Sequence, residues 1–200
     1  MKTNGKLIIF EGIDRVGKST LSDALWRQLK NDGVDVVKFS YPGKEDGTLG
    51  KLIYDIHHNP QKFSVTSINP LSLQILHIAA HVDLLKNTLI PAYEKGKTVI
   101  LDRYWWSTIA YGIGNDVAEN LLWKITQVER DLTDKISNKM FFYITRNSES
   151  GYDVEKERKI LRAYDDIFES SNEGKKIKID NNDDIQKVLG AILQKVKGMV

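Results

Sequence analysis

The chain has 200 residues, the size of one domain, and its 41% hydrophobic and 28% charged residues exclude wholesale disorder, collagen-like repeats and coiled coil. Lys and Arg number 29 against 27 Asp and Glu, a formal charge of +2 with the signs interspersed, which leaves no footprint for nucleic acid and no basic membrane anchor. The absence of cysteine removes disulfide scaffolds, thiolate-bound zinc, iron–sulfur clusters and thiol nucleophiles together.

The amino terminus, Met1–Gly5, is polar and leads into the short apolar run Leu7–Phe10. That run is too short for a signal peptide or a membrane span, so a soluble cytoplasmic protein of one domain, residues 1–200, is expected. Lys6–Glu11 reads as a buried strand. Gly12-Ile13-Asp14-Arg15-Val16-Gly17-Lys18-Ser19 follows at once and fits G-x-x-x-x-G-K-[ST] between a strand and a helix start. Glycines let backbone N–H groups curl round an anion, and the helix amino terminus adds partial positive charge. Lys18 reaches the β- and γ-phosphates and Ser19 can ligate magnesium. A nucleoside triphosphate is the expected ligand, held over Gly12 to Thr20.

A carboxylate beside a triphosphate is repelled. Asp14 therefore either accepts hydrogen bonds from something other than phosphate, such as a substrate hydroxyl, or caps nearby backbone N–H groups. Arg15 is either a guanidinium supplied in cis to neutralise charge that develops during transfer, or an exposed arginine without a role.

A helix is expected over Lys18–Lys30, closed by Gly33 before a second strand at Asp35–Phe39. Ser40–Thr48 is an irregular Pro/Gly loop just past a strand end, a usual place for functional residues. Asn69-Pro70 supplies an N-cap and a first-turn proline for a long helix, Asn69–Glu94, which Glu94-Lys95-Gly96-Lys97 ends. The third strand, Thr98–Leu101, delivers Asp102-Arg103-Tyr104 to the same carboxyl edge as the phosphate loop. An aspartate there commonly holds magnesium through water; the alternative is a structural Asp–Arg ion pair. A guanine-nucleotide switch would carry D-x-x-G here and N-K-x-D later. The chain has Asp102-Arg103-Tyr104-Trp105 and Asn138-Lys139-Met140-Phe141, which argues against that class.

Helices over Asp116–Asp131, Val154–Ser170 and Asp183–Val196 alternate with strands at Lys139–Thr145 and Lys176–Ile179. Five strands joined by crossover helices imply a right-handed, doubly wound parallel α/β sheet with ligands at the carboxyl ends of its strands. Trp105, Trp106 and Trp123 read as packing, and the mixed charge of Lys175–Asp184 as solvated surface.

Three stretches carry a resemblance: Phe10-Glu11-Gly12-Ile13-Asp14-Arg15-Val16-Gly17-Lys18-Ser19-Thr20, then Tyr41-Pro42-Gly43-Lys44, then Asp102-Arg103-Tyr104 with Ser107, Ala110 and Tyr111. In these the chain resembles the thymidylate kinase family of P-loop nucleoside monophosphate kinases. The resemblance implies an α/β P-loop NTPase fold, with a five-stranded parallel sheet flanked by helices, and usually a homodimer. It implies ATP as phosphoryl donor, Mg2+ as cofactor, and a small deoxynucleoside monophosphate as acceptor, dTMP first in line. By the same resemblance Asp14 accepts the sugar 3′-hydroxyl, Arg15 contacts the donor's terminal phosphates, and Arg103 bridges the acceptor and transferred phosphates. Tyr41 belongs to the acceptor site, Lys44 stands where the family has a phosphate-binding arginine, Tyr111 lies against the sugar, and Tyr152 is the lid tyrosine. Other readings are a kinase for another nucleotide or a nucleoside, in which Asp14 or Glu11 would serve as base, and an inactive nucleotide-binding relative.

Two departures stand out. The lid, residues 146–153, is short, with Gly151 where the family's lid arginine is expected. On the long helix the family's aromatic and arginine positions hold His77 and His81, one turn apart, with Gln74 a turn earlier. The imidazoles either stack on and hydrogen-bond a base, or form a metal pair that lacks an evident third ligand, or are satisfied buried side chains.

Overall fold

The computed structural model describes residues 5–147 and 154–199. In chain order the elements are β1 (Lys6–Glu11), α1 (Lys18–Asn31), β2 (Val36–Ser40), α2 (Leu49–His58), α3 (Pro70–Leu84), α4 (Ile90–Glu94) and β3 (Thr98–Asp102). Then come α5 (Trp105–Gly114), α6 (Glu119–Thr133), β4 (Lys139–Thr145), α7 (Val154–Ser170), β5 (Lys175–Asp180) and α8 (Ile185–Val196). The strands form one parallel sheet in the order β2-β3-β1-β4-β5.

Strand β1 takes the centre because Leu7, Ile8, Ile9 and Phe10 are wholly buried, apolar on both faces as a strand covered by helices on both sides requires. Each such side chain contributes on the order of 2 kcal/mol by leaving water. The register sets Phe10 beside Asp102 and Glu11 beside Tyr143. The phosphate loop and the Asp102-Arg103 pair therefore leave adjacent strands at the same edge, where open α/β sheets bind ligands.

The expected bounds of β1, β4 and α7 match the structure, and the other strands agree to within a residue at either end. The long helix begins as anticipated, with the Asn69 side chain accepting from the Leu71 and Ser72 N–H groups, but it is not continuous. A π turn over Leu85–Leu89 separates α3 from α4. Pro91 follows; it has no N–H for the carbonyl four residues back, and the widened turn relieves that clash. Helix α6 starts at Glu119, after a turn in which Asp116 takes φ 58°, instead of at Asp116 itself.

Helices α2 and α5 were not anticipated. The signal for α2 was present: Thr48 caps it by accepting from the Lys51 N–H at 3.1 Å, and Leu49, Ile53 and Ile56 recur at helical spacing. Helix α5 has no amphipathic period to read, because it is buried on nearly every side between α6 and α7. Its tryptophans are packing, as expected. Trp106 is fully buried and stacks on Phe141 at 4.9 Å, and the Arg130 guanidinium lies over Trp105 and Trp123 at 5.4 and 5.1 Å. No helix among the described residues is long and apolar enough to cross a membrane.

Candidate active site

The loop after β1 turns at two glycines whose positive φ and close neighbours disfavour any side chain, against backbone at Gly12 and against the Asn181 amide at Gly17. At Gly12 (φ 139°) a Cβ would sit 2.3 Å from the Ile144 carbonyl oxygen, and at Gly17 (φ 91°) 2.3 Å from the Asn181 amide nitrogen. Ile13 and Val16 pack into the core beneath the loop, while Arg15, Ser19 and Thr20 face out at the start of α1. Lys18 is buried and donates to the Ile13 carbonyl at 2.6 Å. Burial, and then the nearby Arg103 cation, lower its ammonium to about 8 against the opposing pull of Asp102, Asp14 and Glu11.

The Ser19 hydroxyl donates to Asp102 Oδ2, while Asp102 Oδ1 is buried with no hydrogen-bond partner among the described residues. A hydroxyl beside a carboxylate with an unengaged buried oxygen is the hard oxygen donor set that suits magnesium.

Arg103 and Arg15 both adopt positive φ, 73° and 68°, an unusual conformation for non-glycine residues that costs about 1–2 kcal/mol each and clusters at functional sites. Arg103 forms an ion pair with Asp14, donates to Ser107 Oγ at 3.1 Å, and lies over the Tyr111 ring at 5.2 Å. The Asp14 N–H donates to the Tyr111 hydroxyl at 2.9 Å, which closes the network. Burial alone would raise the Asp14 carboxyl, but Arg103, Tyr111, Lys18 and Arg15 outweigh it and hold the group below the ordinary carboxylate range. Asp14 thus has a partner that neither reading of the sequence supplied.

Glu11 stands behind this network. Its carboxylate accepts from the Tyr104 N–H at 2.7 Å and from the Ser107 hydroxyl at 2.7 Å, and complete burial pushes it up to about 7. It does not line the cavity, so it braces α5 against β1 and is not placed to act as a base.

A cavity of about 720 Å³ opens in front of these groups. Asp14, Ser19, Asp102 and Arg103 line its phosphate-loop end; Tyr41, Lys44 and Tyr111 line its flanks; Gln74, His77 and His81 line the α3 wall. The sequence reading missed Tyr54 and His57 of α2, and Asn115 and Lys156. The Lys44 ammonium lies 5.1 Å above the Tyr54 ring, and Lys156 donates to Asn115 Oδ1 at 2.7 Å. Lys156 lies in the first turn of α7, just past the lid, a place where a cation could have been flagged.

His77 Nε2 lies 3.2 Å from His57 Nδ1, and burial with its imidazole neighbours lowers its imidazolium to about 3. His81 is buried, stacks on Tyr41 at 3.7 Å, and places Nδ1 2.6 Å from Glu129 Oε1. Among the described residues no group of three His, Cys, Asp or Glu side chains is arranged to hold a metal, so the metal-pair option gains no third ligand. Tyr152 and the rest of residues 148–153 lie outside the described residues; Arg146, at the lid's root, is exposed.

The loop between β5 and α8 also belongs here, although Lys175–Asp184 read as solvated surface. Asn181 donates its amide to the Val16 carbonyl at 2.7 Å, and Asn182 accepts from the Asn147 N–H at 2.9 Å. One loop therefore touches both the phosphate loop and the lid's root. The contact joins residues 165 apart, so no local pattern could have announced it.

Comparison with known proteins agrees with this geometry. The family model described as Thymidylate kinase matches residues 10–192. A thymidylate kinase of Chlorobium limicola is 29% identical over 217 aligned positions, covering 96% of this chain and 94% of that protein. One from Desulfotalea psychrophila is 40% identical over 119 residues, 58% of this chain and 55% of that protein, so this match spans about half of it. The crystal structure of thymidylate kinase from Ehrlichia chaffeensis shares the fold, with a TM-score of 0.78 at 24% identity over 96% of this chain and 99% of that one. The matched span runs from the end of β1 into α8 and takes in the phosphate loop, Asp102-Arg103 and the α3 wall, and the chain belongs to the thymidylate kinase family.

Proposed function

We propose that the protein transfers the γ-phosphoryl group of ATP to dTMP, giving dTDP and ADP. The observation that carries this reading is one cavity in which Arg103, beside Ser19 and Asp102 at the phosphate-loop end, is joined to a flank that carries Lys44 and Tyr111. The acceptor's phosphate oxygen is already ionised and needs no general base. The obstacle is repulsion between two polyanions, and the remedy is positive charge held in line with the transfer. Lys18 serves the β- and γ-phosphates, Arg15 the donor's terminal phosphates, and Arg103 the bridge between acceptor and transferred phosphates. Asp14 and Ser107 hold Arg103 in place before any ligand arrives. Ser19 and Asp102 would hold magnesium, which supplies further positive charge to the donor phosphates when bound.

Lys44 takes the acceptor phosphate, as a point charge without an arginine's bidentate fork. Asp14 and Tyr111 take the sugar, His77 and His81 the base, and Tyr152 is assigned to the acceptor site by the family resemblance alone. A nucleoside kinase would need a base for a neutral hydroxyl, and Glu11 is turned into the core. The whole chain, residues 1–200, acts as one domain in the cytoplasm, where ATP and nucleotides are available. Exposed Leu52, Ile75 and Val128, on α3 and on the helices α2 and α6 that both pack against it, support a homodimer, expected as a solution mass about twice 22.8 kDa by light scattering.

An ADP-release assay across dTMP, dUMP, the other monophosphates and free nucleosides tests the activity. Turnover is expected to be highest with dTMP, and no acceptor raising ADP release above the ATP-only rate would end the kinase reading. Asn181→Ala removes one partly buried hydrogen bond to the phosphate loop and is expected to raise the KM for ATP about fivefold, with the KM for dTMP unchanged. An unaltered ATP KM would show that Asn181 does not position the loop.

A further inference from the structure

The wall that α3 turns to the cavity is lined by Leu73, Gln74, His77 and His81, none of them carrying a fixed charge. A nucleotide whose phosphate lies against Arg103 and Lys44 leaves its base for that wall; this step rests on the monophosphate kinase reading. Of the chain's 4 histidines, His81 differs in what stands behind it. Glu129, from α6 and without exposed surface, meets His81 Nδ1 at 2.6 Å, which leaves Nε2 as the ring nitrogen available to a ligand.

The pair has four protonation arrangements to choose from. A carboxylate accepting from Nδ1–H leaves Nε2 bare and the pair with a net negative charge. A carboxylic acid donating to Nδ1 puts the ring proton on Nε2, and the pair is neutral. A carboxylate facing an imidazolium is also balanced, and there too Nε2 carries a proton. An acid protonated on Oε2, with Oε1 accepting from Nδ1–H, is neutral as well and leaves Nε2 bare, but Oε2 is buried with no partner among the described residues, so its O–H would go unsatisfied. Net charge in this position is strongly disfavoured. The groups facing the pair do not offset it. Tyr41 stacks on the ring, His77 lies 6.1 Å away, and the buried Tyr104 phenol is nearby. Arg130 lies over the Trp105 and Trp123 rings, and Glu173, although ion-paired with Lys139, still pushes the Glu129 carboxyl up. Among the described residues the one ion-pair partner of Glu129 is His81. Burial, followed by Glu173, holds the Glu129 carboxyl well above its ordinary range, and burial lowers the His81 imidazolium to about 3. The balanced arrangements that leave no buried donor unsatisfied both carry an N–H on Nε2.

We infer that Glu129 is a positioning residue that keeps His81 Nε2 protonated as a donor toward the cavity, so that the site favours a nucleobase presenting a ring carbonyl and disfavours one presenting an exocyclic amine. A bare Nε2 would have the opposite preference, since it would accept from an amine. Specificity then depends on a side chain that does not itself reach the ligand, much as a second carboxylate sets the tautomer of a metal-bound or catalytic histidine.

The decisive measurement is nitrogen-15 NMR of the whole protein labelled at histidine, with His81 assigned by its loss in His81→Gln. Nε2 is expected to be pyrrole-like, bearing a proton, at every pH from about 6 to about 8. A pyridine-like Nε2 with the proton on Nδ1 would overturn the inference. In parallel, the preference for dTMP over dCMP in kcat/KM is expected to fall about tenfold in Glu129→Leu, mainly through a raised KM for dTMP. An unchanged preference in a folded Glu129→Leu protein would overturn it as well. If the wild type phosphorylates no monophosphate, the kinase reading and the base assignment fall together, while the nitrogen shifts still decide whether Glu129 sets the ring.

Discussion

Arg103→Ala is expected to lower kcat/KM for dTMP about 10³-fold, the scale at which an arginine that stabilises phosphoryl transfer contributes. In the proposed reaction both phosphates pass this side chain, which is held by Asp14, Ser107 and the face of Tyr111. Its removal acts twice. The transferred group loses a cation, and Asp14 is left as an uncompensated carboxylate facing two polyanions in the same cavity. Both kcat and the acceptor KM should therefore worsen. Arg103→Lys retains the charge but cannot reach Asp14 and Ser107 with separate nitrogens, so an intermediate loss of about 10²-fold is expected. Steady-state kinetics on protein whose melting temperature is checked separates a catalytic loss from an unfolded sample. A kcat/KM for Arg103→Ala within about threefold of wild type would remove Arg103 from the transfer step.

Arg15→Ala is expected to reduce kcat by a similar order, about 10³-fold, while leaving the KM for dTMP nearly intact. The contrast with Arg103 follows from position. Arg15 lies on the outer side of the phosphate loop and does not line the cavity. The loop holds its backbone at φ 68°, a conformation that presents the side chain in a defined direction at a cost in strain. In the proposed reaction a charge placed there serves the donor's terminal phosphates and not the acceptor. Normal turnover in Arg15→Ala would show that donor charge is neutralised by other groups.

Much of this site could be read from local order alone. The phosphate loop is contiguous, its flanking strand and helix follow from apolar patterning, and Asp102-Arg103 ends a hydrophobic strand, so parallel-sheet geometry brings the two motifs to one edge. The elements that escaped did so for specific reasons. Helix α5 has apolar residues on all sides and therefore no period. Helix α2 had a cap and a spacing that could have been used, and with it His57 and Tyr54 would have been placed at the cavity opposite the α3 wall residues. The break at Leu85–Leu89 depends on how a proline's missing donor is absorbed by the turn before it.

What the amino-acid sequence determined by itself is the fold class, the nucleotide-binding loop, the sheet edge at which ligands bind, and the family to which the chain belongs. These are carried by short contiguous segments whose geometry is dictated by neighbouring residues. Tertiary structure alone decided that Arg103 is paired with Asp14, that Glu11 faces the core, that Asn181 supports the phosphate loop, and that Glu129 stands behind His81. Each of these is a side-chain contact across 48 or more residues, and its existence depends on how helices pack and on which buried groups must satisfy one another.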